Sequence, residues 1–433
     1  MTLRLLLVPI VLALFGCGGS ETPAPPPVAA SASTPVVVPP EIAAFYRSRA
    51  NRPLWMGRQG AKPEAKALAA AIEGAAAHGL DPQRYGASEL KAALAAAESG
   101  EASQRARAEL LLTRAFVPFA RDLHTPRASE AITYIDEGLK TVPPTAEASL
   151  DQAAKAPDLA AHVRSVTTLN PLYASMSRGH ARWLAANPRP DPAREALIRA
   201  NLEKARAIPA HAGRYVIVDT ASARLWMIDG RKVEGPMRVI VGKPNMRTPA
   251  MAALIRYVVL NPYWNVPPDL ARERARRVLK QGPGLLKGEG MELLSDWGDR
   301  PRVISASQVN WAAVASGRTT LRMRQRPGGN NVMGAMKFMF PNALGIYLHD
   351  FPEKSLFARE DRRLSSGCVR VEDAQRLARF LFRGSAPKPS GSAPEQLVDL
   401  PEPVPVYITH LTVLPDPKAG LSFRADPYAR KGA

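Results

Sequence analysis

The stretch 213–243, "GRYVIVDTASARLWMIDGRKVEGPMRVIVGK", decides the fold class of the second half of the chain. Apolar residues alternate with polar ones in short runs, and Asp229 and Gly230 punctuate two of those runs, so the stretch reads as consecutive strands joined by tight turns, a β-meander. Residues 41–190 read differently. They are Ala-rich, and "LLTRAFVPFARDL" (111–123) repeats Leu112, Phe116, Phe119 and Leu123 along one face of a helix. "AAAHGLDP" (75–82) carries a helix stop at Gly79 followed by Pro82. The expected class is therefore α+β, with a helical first half and a mainly β second half. His78 and His124 fall at helix ends, where histidines are commonly structural, and they lack the paired spacing of a metal site.

The chain has 433 residues, enough for two or three units of roughly 100–200 residues each. Its 58 Lys and Arg against 39 Asp and Glu give a formal charge of +19, a surface that attracts polyanions such as nucleic acid or anionic envelope polymers. The N-terminus separates the two. Arg4 is followed by an apolar run, Leu5 to Phe15, that ends in "LFGC" (14–17). That is the pattern of a signal peptide, and it falls short of the roughly 20 residues a spanning helix needs. A cysteine directly after Gly16 is similar to a bacterial lipoprotein signal, which makes residues 1–17 a leader and Cys17 the lipidated residue; simple cleavage and release is the alternative. Gly18 after it favours the outer membrane in envelope sorting. The expectation is a lipoprotein on the periplasmic side of the cell envelope, held at the membrane through Cys17, with no nucleic-acid partner. Residues 18–40, rich in Pro, Ala and Ser, read as an extended tether.

Cys17 and Cys368 are the only cysteines, so a lipid on the first leaves the second without a disulfide partner. A lone thiol is often a small buried hydrophobe, but an exported protein that keeps one risks its oxidation. In "GIYLHDFPEKSLFAREDRRLSSGCVRV" (345–371), His349 is the only histidine near it in sequence. "IYLH" alternates like a strand, and "SSGC" offers small residues whose N–H groups can approach a carbonyl. "VEDAQRLARFLF" (371–382) reads as an amphipathic helix with Leu377, Phe380 and Leu381 on its apolar face. This places Cys368 just ahead of a helix start with Arg363 and Arg370 nearby, an environment that favours a thiolate, with His349 as its base.

Ser365, Ser366, Gly367, Cys368 and Arg370, preceded by His349, resemble the signature of the L,D-transpeptidase (YkuD-like) catalytic domain. Ser366 stands where many members have a second histidine. That variant resembles the large multidomain branch of the family and leaves His349 as the base. The stretches "NPYWNVPPDLARE" (261–273), "RQRPGGNNVMGAMKFMFPN" (324–342) and "PVPVYITHLTVLPDPKAGLSFRADPY" (403–428) are similar to the same branch, so the resemblance spans most of 213–430. "FYRSRANRPLW" (45–55) and "HGLDPQRY" (78–85) look like its helical scaffold domain.

The resemblance implies a scaffold domain over 41–190, a helical connection over 191–212, and a sandwich-like catalytic domain over 213–430 with a lid inserted at about 267–324. Trp297 and Trp311 of the lid read as packing residues, and "GPGLLKGEG" (282–290) as a flexible lid connection. The small peptidoglycan-binding module of that branch has no room here. The implied chemistry is attack by the Cys368 thiolate on a peptidoglycan tetrapeptide stem, loss of D-Ala, and transfer of the thioester to an amine to form a cross-link. The backbone N–H groups of Gly367 and Cys368 are the expected oxyanion donors. Asp350 or a backbone carbonyl would orient His349. Tyr347, Ser365 and Ser366 are further orienting or substrate-binding candidates, and Arg370 would pair with a substrate carboxylate. Reactivity toward carbapenems is implied; a cofactor or metal is not. Hydrolysis in place of transfer, as an L,D-carboxypeptidase or a hydrolase of wall–lipoprotein links or cross-links, uses the same residues. A non-catalytic wall-binding lipoprotein is the other reading.

Overall fold

The computed structural model describes residues 36–127, 132–209 and 213–429. Cys17, the leader and nearly all of the tether lie outside the described residues. From Val38 onward the chain forms one compact unit, so the helical and β parts adjoin directly.

Helices run over Pro40–Ser48, Pro63–Glu73, Ala87–Ala97, Ala102–Leu123, Ala146–Lys155, Leu159–Val166, Pro171–Ala186 and Pro192–Arg206. Their starts are written locally. Asp158, Asn170 and Asp191 accept the N–H of Ala161, Tyr173 and Ala193 at 2.8, 2.8 and 3.1 Å, and several helices place Pro in the first turn. The expected stripe Leu112, Phe116, Phe119 and Leu123 is buried. From the same helix, the buried carboxylate of Glu109 accepts Tyr46 Oη at 2.5 Å and the backbone N–H groups of Leu54, Trp55 and Met56 at 2.5, 2.9 and 2.8 Å. The turn "RPLW" is thereby tied to the helical core.

The β part begins as the expected meander: β1 (Arg214–Asp219), β2 (Arg224–Asp229) and β3 (Lys232–Gly242), each antiparallel to the next. It continues with β4 (Met251–Leu260), β5 (Met336–Met339), β6 (Leu348–His349), β7 (Arg363–Ser365), β8 (Val369–Val371) and β9 (Gln396–Thr409). The hydrogen-bonded order is β5-β6-β8-β3-β2-β1-β9-β4, and β4 pairs with β5, so the ladder closes on itself where a two-sheet sandwich was expected. Closure removes the exposed edges that an open sheet would present. Alternation sorts the side chains. Val216, Val218, Leu225, Met227, Val239, Val241, Leu348, Val369 and Val371 enter one core, covered by Leu377 and Leu381 of the helix Ala374–Leu381. Tyr215, Ile217, Ile228 and Tyr407 face the other way onto Ile208 and Ile132 from the helical half.

That second contact crosses the expected domain junction. A two-residue strand, Thr133–Tyr134, joins β4 in parallel, and the hairpin Val413–Asp416/Gly420–Phe423 lies on the helix Pro171–Ala186. The approach there is close: a Cβ on Gly179 would meet the Gly420 carbonyl oxygen at 2.4 Å.

The insertion after β4 is a folded subdomain of its own. Strands Trp264–Val266, Met291–Leu294, Val303–Ile304 and Arg322–Gln325 form a four-stranded sheet backed by helices Pro268–Gln281 and Trp311–Ser316. Its core is built on Trp264, Val278, Leu293 and Met323. "GPGLLKGEG" is not a loose connection, because Gly284–Gly288 is a helical turn that buries Leu286 in this core. Trp297 is not a packing residue either: it is 55% exposed at the tip of the hairpin, under which Arg322 sits 5.9 Å from the ring. Trp311 packs against the lid core and donates its Nε1–H to Ala306 O at 2.9 Å. At the base of the lid, Asn331 donates to Pro262 O and Arg326 O at 3.0 and 2.8 Å, while Gln325 accepts Val332 N at 3.0 Å, so the "RQRPGGNN" turn is held by its own amide side chains.

Candidate active site

β6 and β8 run parallel, with Leu348 paired to Val369 and His349 to Arg370. Paired residues on neighbouring strands leave the sheet on the same face, and residues two apart share it. Leu348 and Val369 point into the core, so His349 and Arg370, together with Tyr347 and Cys368 two positions before them, lie on the opposite face. Tyr347 bridges inward and upward: it packs against both the sheet core and the lid core. Tyr347 touches the Cys368 thiol and stands beside the His349 ring, while the thiol itself is directed at the Gly345 carbonyl at 3.6 Å.

The thiol is fixed by a small-residue loop. Ser365, buried, donates its hydroxyl to the Cys368 carbonyl at 2.6 Å and accepts the Gly367 N–H at 3.1 Å. Thr248 donates to the Gly367 carbonyl at 2.6 Å and accepts the Gly242 N–H at 2.9 Å, which ties the loop to the end of β3. Gly367 has φ +119°, a conformation open to glycine, and a Cβ there would crowd Ile346 Cδ1 at 3.2 Å. Ser366 is exposed at the rim. Thr248 was not legible as a site residue, since a single threonine between "NMR" and "PAM" carries no pattern.

His349 is nearly fully buried, and its Nδ1 lies 2.5 Å from the backbone carbonyl of Asp350. A carbonyl only accepts, so Nδ1 carries the proton and Nε2 keeps its lone pair, the tautomer a base requires. The carbonyl, not the carboxylate, is the orienting group. The Asp350 carboxylate instead accepts Ala335 N at 2.9 Å and pairs with Lys354 at 2.7 Å, bracing the chain on either side of the histidine. The rings of Tyr347 and His349 are 5.8 Å apart.

Burial pushes His349 down to about 3, with Arg370 and Lys337 adding to the depression, so the imidazole is neutral over the physiological range. Burial pushes the Cys368 thiol up, opposed by hydrogen bonds from the Tyr347 backbone and side chain and by the charges of Arg370 and Lys337. The resting pair is thiol and imidazole. This corrects the expected helix-start environment: β8 separates Cys368 from the helix, which begins at Ala374 with Asp373 as its cap, so no helix dipole acts on the sulfur. Arg363 is also engaged elsewhere, with Asp361 at 2.6 Å and the Pro427 carbonyl. Of the two expected oxyanion donors, the Gly367 N–H is committed to Ser365. The Cys368 N–H has no acceptor among the described residues.

Arg370 lies with its guanidinium 4.1 Å from the centre of the Phe351 ring. Lys337, on β5 opposite His349, was not singled out in the sequence; the signal available was a lone cation inside the apolar run "AMKFMF". Among the described residues no cluster of His, Cys, Asp and Glu could hold a metal ion, and no helix is long and apolar enough to cross a membrane.

A sequence model of the L,D-transpeptidase catalytic domain, YkuD, matches residues 213–406, the span that holds this whole constellation. Over that span the chain is similar to the L,D-transpeptidase catalytic domain. A scaffold-domain model matches residues 40–179, ahead of it. The chain is also similar to a protein of Haemophilus influenzae (strain ATCC 51907 / DSM 11121 / KW20 / Rd), provisionally named an L,D-transpeptidase. The two are 34% identical over 184 residues, 42% of this chain, and the match spans about a third (36%) of the relative's length. A solved L,D-transpeptidase from Mycobacterium smegmatis pairs with 46% of this chain and 59% of its own at 11% identity, with a TM-score of 0.23, a level at which no structural argument rests on it.

Proposed function

We propose that the protein is a peptidoglycan L,D-transpeptidase of the cell envelope. The observation that carries this is the single face formed by Tyr347, His349, Cys368 and Arg370, with the His349 tautomer set by the Asp350 carbonyl. Nε2 of His349 takes the Cys368 proton as sulfur attacks the carbonyl of an L,D peptide bond in a tetrapeptide stem. Because the dyad rests uncharged, proton transfer accompanies attack. The C–N bond breaks, the leaving D-Ala nitrogen receives the proton from His349, and a thioester remains on Cys368. The Cys368 N–H serves the oxyanion, and the Gly367 N–H joins it where the substrate displaces Ser365. An amine of a second stem then resolves the thioester into a cross-link.

The carbonyl chemistry also fits acylation by carbapenems. Lipidation at Cys17 would hold the domain at the outer membrane, with the residues 18–40 tether setting its reach and the basic surface favouring the anionic wall. Water as the acceptor would make the same site an L,D-carboxypeptidase, and the test separates the two. The protein is incubated with purified tetrapeptide-bearing muropeptides and the products are resolved by liquid chromatography and mass spectrometry. Muropeptide dimers that have lost one D-Ala, absent with Cys368→Ala, are the expected result. Tripeptide monomers without dimers would replace transfer by hydrolysis, and no turnover by folded protein would contradict both.

A further inference from the structure

The base stands between two cations. Lys337, His349 and Arg370 are register partners on three successive strands, β5, β6 and β8, so all three side chains leave the same face. Beyond Arg370 the row ends in Ile240 of β3, which packs with Phe351 and Phe357. Both cations are largely withdrawn from water, Lys337 to 8% exposure. Buried charges are ordinarily paired and fully hydrogen-bonded, because desolvation is costly otherwise.

These two are not. Lys337 has one ion-pair partner among the described residues, Glu395 at 3.4 Å, and that carboxylate is already held by the Tyr263 N–H at 2.6 Å. Arg370 makes no ion pair among the described residues, and its buried Nε has no hydrogen-bond partner. Arg362, eight positions earlier in the chain, shows how a structural arginine is satisfied here: it donates to the carbonyls of Val239, Arg359, Ser222 and Ala223 at 3.1, 2.8, 3.0 and 3.1 Å. The remaining charged or titratable groups around His349 do not make up the deficit. The Asp350 carboxylate belongs to Ala335 and Lys354, Glu353 acts on Arg370 without pairing, and Tyr347 and Cys368 are neutral at rest.

Two under-partnered cations beside a base and a nucleophile describe a seat for an anion, and the proposed donor brings one within reach. When the scissile bond precedes the last residue of a peptide, that residue's α-carboxylate is separated from the attacked carbonyl carbon by only its own nitrogen and Cα. We propose, building on the transpeptidase reading, that Arg370 and Lys337 form a subsite for the free α-carboxylate of the expelled residue, and that filling this subsite is what lets His349 accept the Cys368 proton. The anion offsets the two charges that oppose an imidazolium at His349. The depressed basicity of the empty site is in keeping with this order of events. The leaving residue thus activates its own expulsion: the Cys368 proton moves to His349, sulfur bonds to the carbonyl carbon, the C–N bond breaks, and the proton passes to the departing amine, which carries the carboxylate away. Once it leaves, the site returns to two cations and a neutral imidazole.

The test compares two donors on the full chain: a disaccharide tetrapeptide ending in D-Ala, and the same molecule with its C-terminal carboxylate converted to the carboxamide. The rate of Cys368 acylation is followed by intact mass in single turnover. The carboxamide is expected to acylate on the order of 100-fold more slowly, a share of the general-base contribution. Arg370→Gln should slow the acid donor and narrow the gap between the two donors, because it removes the carboxylate's partner from one and a charge opposing the imidazolium from both. Arg370→Gln should also move the pH midpoint of thiol alkylation by iodoacetamide upward, because a cation favouring the thiolate has gone. Equal acylation rates for the two donors in the unmodified protein would overturn the subsite while leaving the transpeptidase reading in place, and that comparison needs no folded variant. Equal slowing of both donors by Arg370→Gln would reduce the arginine to a structural role and overturn its part. Acylation by neither donor would overturn the subsite and the parent reading together.

Discussion

Glu109 in the helical half and the Lys337–His349–Arg370 row in the sheet are both buried and polar, but they are treated in opposite ways. Glu109 receives four donors, and the chain around it, from Tyr46 to Met56, is arranged to supply them. The row beside Cys368 is left short of acceptors and counter-charges, under a lid whose core reaches Tyr347. A saturated buried charge pins a fold; an unsaturated one holds desolvation cost in reserve for a ligand. The difference separates the two sites by role: Glu109 is saturated by its own chain, and the row on the sheet is left for a ligand to complete.

The contrast breaks most sharply if removal of the thiol spares activity. Cys368→Ala should reduce D-Ala release by a factor on the order of 1,000 or more, the scale seen when a nucleophile is deleted, with the thermal midpoint nearly unchanged. His349→Ala should lower the acylation rate about 100- to 10,000-fold, read in the same single-turnover assay. In the helical half the sign is reversed. Glu109→Ala strands three backbone N–H groups, while the Tyr46 hydroxyl keeps Thr113 at 2.7 Å, so denaturant unfolding should show a loss of at least about 3 kcal/mol, while turnover per folded molecule stays the same.

A pH titration sharpens the comparison further. Burial lowers His349 to about 3 and His78 in the helical half to about 4, against an ordinary value of 6.5. The unfolded chain therefore binds more protons than the folded one between those values. Stability contributed by both histidines is complete above about pH 6.5 and is lost as pH falls toward 4 and then 3. His78→Phe or His349→Phe should each flatten part of that acid limb in a denaturation series. Alkylation of Cys368 should rise only toward alkaline pH, with no shoulder near 6.5, since no thiolate–imidazolium pair exists at rest. The smallest effect is expected at the lid tip: Trp297→Ala removes an exposed ring and should alter stability by no more than about 0.5 kcal/mol.

Local signals made much of this legible. The meander showed in its period of two and its Asp229–Gly230 turn, the helical half in its stripes and stops, and the His349 and Cys368 pair in a short motif. What remained hidden depends on contacts distant in sequence. Closure of the ladder rests on β4 meeting β5 across the whole lid insertion, and no local pattern specifies that pairing. The lid's own fold is not legible locally, because its strands are only two to four residues long. Placing Cys368 at a helix start overlooked two cues: "VRV" is β-favouring, and Asp373 is a ready N-cap. Lys337 became meaningful only once register set it opposite His349.

The central claim is that Cys368 carries the acyl group. The most direct measurement is peptide mapping of the full chain quenched with a tetrapeptide donor and no amine acceptor. The account predicts a tripeptide-acyl mass on Cys368, with one D-Ala released per adduct and no adduct in Cys368→Ala. D-Ala release that persists in Cys368→Ala, or an adduct on any other residue, would contradict it.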